Sequence, residues 1–143
     1  MHSRVYFDTN VIVDLFDEKR PFHRYSVEVF RTIFANEEIA VFINTDTLTN
    51  LFYILRSHVK LGFDDAIVKL EFIKNSFTVV SSEPDEIDNT IAICKEHIFK
   101  DYEDGMQYVC ALKAECTLLI TNNPKDFKNA SIEIVTSKEL SRL

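Results

Sequence analysis

The chain has 143 residues, a formal net charge of −7 and 46% hydrophobic residues, including 12 phenylalanines. This composition argues against disorder, and no stretch is apolar for long enough to span a membrane. General nucleic-acid binders are usually basic, so the acidity favours clustered acids in an enzyme, or one local basic strip for a substrate. The length suits a single domain, residues 1–143, with a substantial core.

The N-terminus has no apolar segment and cleavage site of the kind found in signal peptides, which predicts a cytoplasmic protein. The three cysteines, Cys94, Cys110 and Cys116, are odd in number and show no C-x-x-C spacing. We interpret all three as reduced structural thiols, with Cys94 and Cys110 on predicted helices as small buried hydrophobes.

Short apolar runs alternate with segments of helical periodicity in the first half of the chain. The third helix is predicted to start at a cap, either Thr45 or Asp46, and to stop before Gly62. The predicted elements are a strand at 4–8, helices at 10–16 and 23–36, a strand at 39–43, a helix to about 61 and a helix over 63–73.

The second half continues the same alternation. Acidic residues and a proline at 82–86 indicate a helix start, since they suit the first turn of a helix. The predicted elements are a strand at 77–80, a helix that starts at 82–86 and runs to about 97, and a helix from 101 to about 115. They continue with a strand at 116–120, a helical turn at 124–127, a strand at 132–135 and a terminal helical turn at 137–143.

Strands separated by helices predict an α/β fold whose sheet is largely parallel and covered on both faces. Functional groups gather beyond the carboxyl ends of such strands. Asp8 and Asp126 each follow a predicted strand, and Asp104 lies at a helix start, so we expect the three to meet at one rim. Converging carboxylates repel each other unless a cation neutralises them. The pattern predicts a Mg²⁺ or Mn²⁺ site.

The same acids have a simpler interpretation, because aspartate often caps helices. Asp8 precedes a predicted helix, and Asp126 lies beside the short helical turn. Capping fits Asp101 and Glu103 well, whereas for Asp104 its two companions favour the functional interpretation.

Other polar residues are expected near this rim. Asp46 and Asn50 are four residues apart and share a helix face, and Thr121 follows a predicted strand, where it could orient a carboxylate. Asp14 is interpreted as solvent-facing or structural. The supporting residues that we predict are Asn10, Asp46, Asn50, Asp101, Thr121 and Asn123.

Basic residues near the predicted rim are candidates for contacts with phosphate, and Lys125 is the preferred one. The other candidates, which an ordinary solvated surface would also explain, are Arg56, Lys60, Lys100 and Lys128. The four histidines fall outside the acidic motifs, which argues against a histidine-based mechanism.

Four segments resemble those of PIN-domain proteins, most closely the bacterial toxin-like, VapC-type branch. They are DTNV at 8–11, TLTNLFYILR at 47–56, DYEDGMQYVCAL at 101–112 and TNNPKDF at 121–127. The resemblance implies a three-layer α/β/α fold with a central, mainly parallel five-stranded sheet. It also implies a Mg²⁺- or Mn²⁺-dependent endoribonuclease, often the toxin of a toxin–antitoxin pair, that forms a homodimer.

By position, Asp8, Asp104 and Asp126 match the acids of that family, and Asn123 matches the polar residue before the last acid. The sequence departs from the family at Asn50, where many PIN nucleases carry a glutamate. An amide can coordinate a cation but adds no negative charge, so weaker cation binding is expected. Two residues could compensate: Asp46, one helical turn earlier, and, less favoured, Glu103.

The expected reaction is phosphodiester hydrolysis, with one or two cations held by the three aspartates activating water. A second interpretation, favoured by Asn50, is a catalytically weak module that binds RNA or protein without cutting. A third is an aspartate-based phosphotransferase with Asp8 as the phosphorylated group. It ranks lowest, because phosphatases of that kind need a second aspartate at position 10, where this chain has Asn10.

Overall fold

The computed structural model describes residues 2–141, which fold around a sheet of five parallel strands in the order β3-β2-β1-β4-β5. The prediction of a five-stranded, mainly parallel sheet is confirmed. The strands are β1 (Arg4–Phe7), β2 (Ala40–Asn44), β3 (Thr78–Val80), β4 (Leu118–Ile120) and β5 (Glu133–Val135).

Helices connect the strands and cover both faces of the sheet, which gives the predicted three layers. A short 3-10 helix, Pro124–Phe127, lies between β4 and β5. The α-helices are α1 (Thr9–Phe16), α2 (His23–Phe34), α3 (Thr45–Ser57), α4 (Phe63–Ser76), α5 (Pro84–Lys95), α6 (Tyr102–Lys113) and α7 (Ser137–Leu140). Within residues 2–141, no helix is long and apolar enough to cross a membrane.

Strand β1 lies in the centre of the sheet and sends alternate side chains to two separate cores. Val5 and Phe7 pack in the core beneath α1–α4, whereas Tyr6 packs in the core beneath α5 and α6. The ring of Phe7 contacts those of Phe30 and Phe77 edge-on, with centroids 5.4 and 5.1 Å apart. Burying an aromatic ring of this size stabilises the fold by about 1.5–3 kcal/mol, so the centre of the sheet is a rigid base for the rim above it.

The predicted start and end of the third helix were wrong. Asn44 is the cap, because its Oδ1 accepts a hydrogen bond from the Thr47 backbone nitrogen at 2.8 Å. The helix ends at Ser57, and Lys60 adopts a left-handed conformation, with φ of 63°, in the turn that follows. Gly62 precedes α4 instead of terminating α3.

The ends of α5 and α6 also come two residues earlier than predicted, for a shared reason. His97 and Glu115 each adopt φ of 59°, which reverses the chain after the helix. Backbone bonds close each turn, from Ile98 to Ile93 and from Cys116 to Ala111, so the last carbonyls are satisfied. Strand β4 consequently begins only at Leu118 instead of 116.

The remaining expectations concern the cysteines and the terminal turn. Cys110 and Cys116 are buried, Cys94 is partly buried, and all three are free thiols, as predicted. The predicted terminal turn is present as α7, although residues 142–143 of that prediction lie outside the described part of the chain.

Candidate active site

Asp8 lies at the carboxyl end of the central strand and is 4% exposed. Its backbone nitrogen donates to the Ile120 carbonyl at 2.9 Å, which extends the pairing of β1 with β4 by one residue. The side chain makes no capping hydrogen bond to α1, although Asp8 occupies the cap position. The capping interpretation therefore does not account for this carboxylate.

Two neutral side chains hold the Asp8 carboxylate in place. Gln107 Nε2 donates to Oδ1 and Thr121 Oγ1 donates to Oδ2, both at 2.7 Å. Burial raises the pKa of Asp8 above its usual range, and these two hydrogen bonds oppose the shift. These two hydrogen bonds thus fix the orientation of the carboxylate.

Asp104 comes from the first turn of α6 and is half-buried. Burial and the charges of Asp8, Asp101, Asp126 and Glu103 raise its pKa to about 8. Like charges have this effect only when they lie close together. Asp101 acts as the cap of α6, since its Oδ1 accepts from the Asp104 nitrogen at 3.0 Å, in agreement with the capping interpretation.

One cavity of about 320 Å³ brings the predicted acids together. Asp126 reaches it from the 3-10 helix after β4, where it is exposed. The polar side chains lining the cavity include Asp8, Asn10, Asp101, Glu103, Asp104, Asn123 and Asp126. Three acids that are far apart in sequence thus face the same space at the carboxyl edge of the sheet.

The acids share this cavity without enclosing a closed coordination shell. Across residues 2–141, no group of three or more His, Cys, Asp or Glu side chains stands close enough together to hold a metal ion by itself. The available donors are carboxylate and amide oxygens, the type that Mg²⁺ and Mn²⁺ prefer. The chemistry of the donor set therefore fits a hard divalent cation.

Asn50, the departure from the acidic pattern, contacts Glu103 across the space between α3 and α6. Its Nδ2 donates a hydrogen bond to Glu103 Oε2. Glu103 lines the 320 Å³ cavity, whereas Asn50 and Asp46 do not. Asp46 nevertheless lies close enough for its charge to help raise the pKa of Glu103.

The predicted supporting residues after β4 act through Asp8 and the backbone. Thr121 is fully buried, and its Oγ1 also accepts a hydrogen bond from the Asn123 nitrogen at 3.0 Å. Asn10 Oδ1 accepts from the Asn122 nitrogen at 3.3 Å, which ties α1 to the loop after β4.

Gln107 was not predicted as a site residue, yet it donates one of the two side-chain hydrogen bonds to Asp8. It is fully buried on α6, and its Oε1 accepts from the nitrogen of Thr9 at 3.0 Å. The sequence carried one signal: Gln107 is the only glutamine in the chain and interrupts an otherwise apolar helix face, three residues after Asp104.

Arg20 is a second unpredicted residue and brings positive charge to the acidic cavity. Its Nε pairs with the buried carboxylate of Asp14, which also accepts a hydrogen bond from Asn122. Of the two roles expected for Asp14, solvent-facing or structural, the structure shows the structural one, because the side chain is buried and paired. No spacing in the sequence indicated this pair, because a loop between α1 and α2 brings Arg20 back over α1.

A second cavity, of about 180 Å³, adjoins the first and has basic residues on its outer side. The two cavities share Asp101, Asp104 and Asp126. The basic side chains that line the second are His97, Lys100, Lys125 and Lys128. Three of the predicted phosphate contacts therefore lie together, whereas Arg56 is held elsewhere by the Leu61 carbonyl.

The family assignment follows from comparison with known proteins. A profile of the PIN domain matches residues 4–125. The chain belongs to the PIN-domain family. The resemblance inferred from the four motifs is therefore confirmed, and the phosphotransferase alternative loses its basis.

Relatives of this PIN-domain protein include ribonuclease VapC1 of Aquifex aeolicus (strain VF5). The two are 34% identical over 138 residues, which cover 96% of this chain and 92% of the relative. Solved structures that share the fold include a toxin and a toxin–antitoxin complex. VapC20 of Mycobacterium tuberculosis, a sarcin–ricin loop cleaving toxin, has a TM-score of 0.74 at 11% identity, covering 90% of this chain and 95% of that one. A toxin–antitoxin complex from Klebsiella pneumoniae has a TM-score of 0.66 at 22% identity, covering 93% of this chain and 97% of that one.

Proposed function

We propose that this PIN-domain protein is a divalent-metal-dependent endoribonuclease and the toxin of a toxin–antitoxin pair. The observation that carries the proposal is the meeting of Asp8, Asp104 and Asp126 in one cavity. The 34% identity to a ribonuclease along nearly the whole chain supports it. The reaction is hydrolysis of an RNA phosphodiester bond.

The proposed metal is Mg²⁺ or Mn²⁺, held by Asp8, Asp104 and Asp126. These side chains offer only oxygen donors, and their mutual repulsion is relieved by a cation. Such an ion supplies an activated water and stabilises negative charge on the phosphate. Asn10, Asn123 and Asp101 lie at the edge of the same cavity, where they bind water or support the acids.

The protein's own contribution is to fix the acids before substrate arrives. Gln107 and Thr121 lock both oxygens of Asp8, so no reorientation is needed when the cation binds. Arg20, whose guanidinium pairs with buried Asp14, also lines the cavity. A guanidinium suits a phosphate oxygen because it offers several donors in a fixed plane.

The two adjoining cavities suggest how RNA lies on the protein. The phosphate to be cleaved is placed in the acidic cavity, and a neighbouring phosphate beside Lys125, with Lys100 and Lys128 close by. This arrangement solves the problem of an acidic enzyme with an anionic substrate, since attraction is confined to one strip. Single-stranded or looped RNA is the expected target because its backbone can follow such a bend.

Four further proposals concern the location and the partners of the protein. We propose that it works in the cytoplasm, that an antitoxin protein covers the acidic rim, and that the chain acts as one unit. We also propose a homodimer. The exposed aromatic and aliphatic side chains of α4 suit a protein interface, and they are Phe63, Ile67, Val68 and Phe72.

The decisive experiment measures cleavage of a mixed RNA substrate during titration with Mn²⁺ or Mg²⁺. Wild-type protein is expected to cut RNA only with the cation, and a chelator to stop the reaction. Asp8→Asn removes a central ligand and is expected to lower kcat at least about 100-fold. Asp88→Asn, on the exposed face of α5, is the matched control and should behave as wild type. Cleavage that survives both chelation and Asp8→Asn would rule out the proposal.

The alternative function is a module that binds RNA or protein without cutting. Asn50 favours it, because an amide stands where many PIN nucleases have an acid. This alternative expects RNA binding that is independent of metal, with no turnover at any cation concentration. The same titration therefore decides between the two functions.

A further inference from the structure

The amide at position 50 contacts an acid on another helix, Glu103 of α6. We infer that Glu103 is the fourth acidic ligand of the proposed metal site and that Asn50 is the positioning residue that orients it. The inference rests on the proposed function and extends it to residues that neither the family match nor the named relatives assign.

The geometry places Glu103 where a ligand is needed. It is half-buried in the first turn of α6, next to Asp104, and lines the acidic cavity. Asn50 Nδ2 binds Glu103 Oε2, while Oε1 has no hydrogen-bond partner among residues 2–141. One oxygen is therefore held by α3, and the other is free to meet a cation.

A helix-stabilising role explains only part of this arrangement. An acid in the first turn of a helix is favourable wherever its side chain points, because it interacts with the helix dipole. That effect does not account for a contact with α3, which lies 53 residues away in sequence. Fixing a flexible glutamate costs side-chain entropy, and the hydrogen bond from Asn50 offsets that loss before a ligand binds.

The amide of Asn50 is also the right partner for this purpose. A glutamate at position 50 beside Glu103 would set two negative charges against each other. An amide instead donates a hydrogen bond and leaves the charge of Glu103 intact. The charge of the cavity is thus preserved, with the acid moved from α3 to α6.

The experiment measures Mn²⁺ binding by isothermal titration calorimetry, without RNA. Glu103→Gln is expected to weaken Mn²⁺ affinity at least about tenfold, and Asn50→Ala about three- to tenfold, since the acid remains but is no longer oriented. The exchange variant Asn50→Glu/Glu103→Gln returns the acid to α3 and should recover affinity to within about threefold of wild type. Glu71→Gln, an exposed acid on α4, is the control.

Melting temperatures of the metal-free variants show whether each one is folded, and a loss of affinity counts only at an unchanged melting temperature. Unchanged affinity in Glu103→Gln would overturn the inference, as would an exchange variant no better than Glu103→Gln alone. Asp8→Asn separates this failure from that of the proposed function. If Asp8→Asn abolishes Mn²⁺ binding and Glu103→Gln does not, only the inference falls; if wild type binds no Mn²⁺, both fall.

Discussion

The carboxylate of Asp8 accepts hydrogen bonds from two neutral side chains, and this determines how the residue can be tested. Gln107 connects Asp8 to the first turn of α1, because its amide binds both the Asp8 carboxylate and the nitrogen of Thr9. Asp8, Thr9 and Gln107 are all buried, so their polar atoms need these hydrogen bonds in place of water. Gln107 thus supports both the orientation of the acid and the start of α1.

Gln107→Met keeps the volume of the side chain but removes both hydrogen bonds. The change leaves Asp8 Oδ1 and Thr9 N without these partners, and we expect a loss of about 1–3 kcal/mol in the free energy of unfolding. Mn²⁺ affinity should fall as well, because the acid is no longer fixed. Denaturant titration and calorimetry measure the two effects. Thr90→Val, a buried hydroxyl on α5, is the control that should lower stability alone; equal Mn²⁺ affinity in both variants would contradict the prediction.

Asp104 makes the stability of the metal-free protein depend on pH. Its pKa of about 8 lies above the usual aspartate value of about 4, so the folded state binds the proton more tightly than the unfolded state. The stability it contributes is fully present below about pH 4 and is lost as pH rises through about 8. Mn²⁺ should reverse this trend by favouring the ionised form.

The measurement is the difference in unfolding free energy between wild type and Asp104→Asn, in chelator, at several pH values between about 5 and 9. Wild type should lose stability relative to the variant as pH rises, since the amide does not ionise. A difference that stays constant over this range would show that the pKa of Asp104 is not raised.

Helix α6 carries Asp104, Gln107 and Glu103, so its distance from α5 sets the position of the site. Gly105 permits the close approach of the two helices. A Cβ at this position would lie 3.2 Å from Thr90 Cγ2 and 3.4 Å from Cys94 Sγ. A side chain at position 105 would therefore make tighter contacts than usual, whereas glycine fits there, although it weakens the helix itself.

Gly105→Val is expected to force the helices apart and to lower the free energy of unfolding by about 1–3 kcal/mol. RNA cleavage should fall too, because the neighbouring Asp104 moves with the helix. Gly62→Ala is the matched control, since no atom lies within 4 Å of its added Cβ. That variant should be neutral or stabilising by up to about 1 kcal/mol. Thermal unfolding of both variants tests this prediction. A Gly105→Val protein as stable as wild type would refute it.

Hydrophobic periodicity and strand-end acids allowed the sheet, its helices and the three central aspartates to be predicted, because these signals are local. The helix ends were less predictable. Lys60, His97 and Glu115 adopt left-handed conformations that residues other than glycine seldom adopt, so these residue types do not indicate the helix ends. Gln107 and Arg20 were missed for a similar reason, since their roles exist only once distant segments meet.

At the scale of the whole molecule, a net charge of −7 coexists with a basic strip beside the acidic cavity. The parallel sheet explains why they adjoin. Asp126 and Lys125 both follow β4, and the acids of α6 belong to the helix that directly precedes β4 in the chain. The acids and the lysines are therefore presented by the same loops, and a single RNA strand can contact both.

The three lysines of the basic strip, Lys100, Lys125 and Lys128, are expected to affect RNA affinity more than the turnover rate. Changing Lys100, Lys125 or Lys128 to Gln should raise KM for RNA, with kcat nearly unchanged, because these groups lie away from the reacting phosphate. Each change should also lower the slope of log affinity against log salt by about one. Binding is measured in the Asp8→Asn background to prevent cleavage. Lys74→Gln, on α4, is the control, and an equal effect there would disprove a specific role.

The contact between Asn50 and Glu103 also has a consequence for how such a protein can evolve. Because one side chain orients the other, a change at either position alters what is tolerated at its partner. Natural sequences of this kind should therefore show linked substitution: Asn at one position accompanies Glu at the other, and lineages with an acid on α3 are free to vary at the α6 position. An alignment in which the two positions change independently would speak against their shared role.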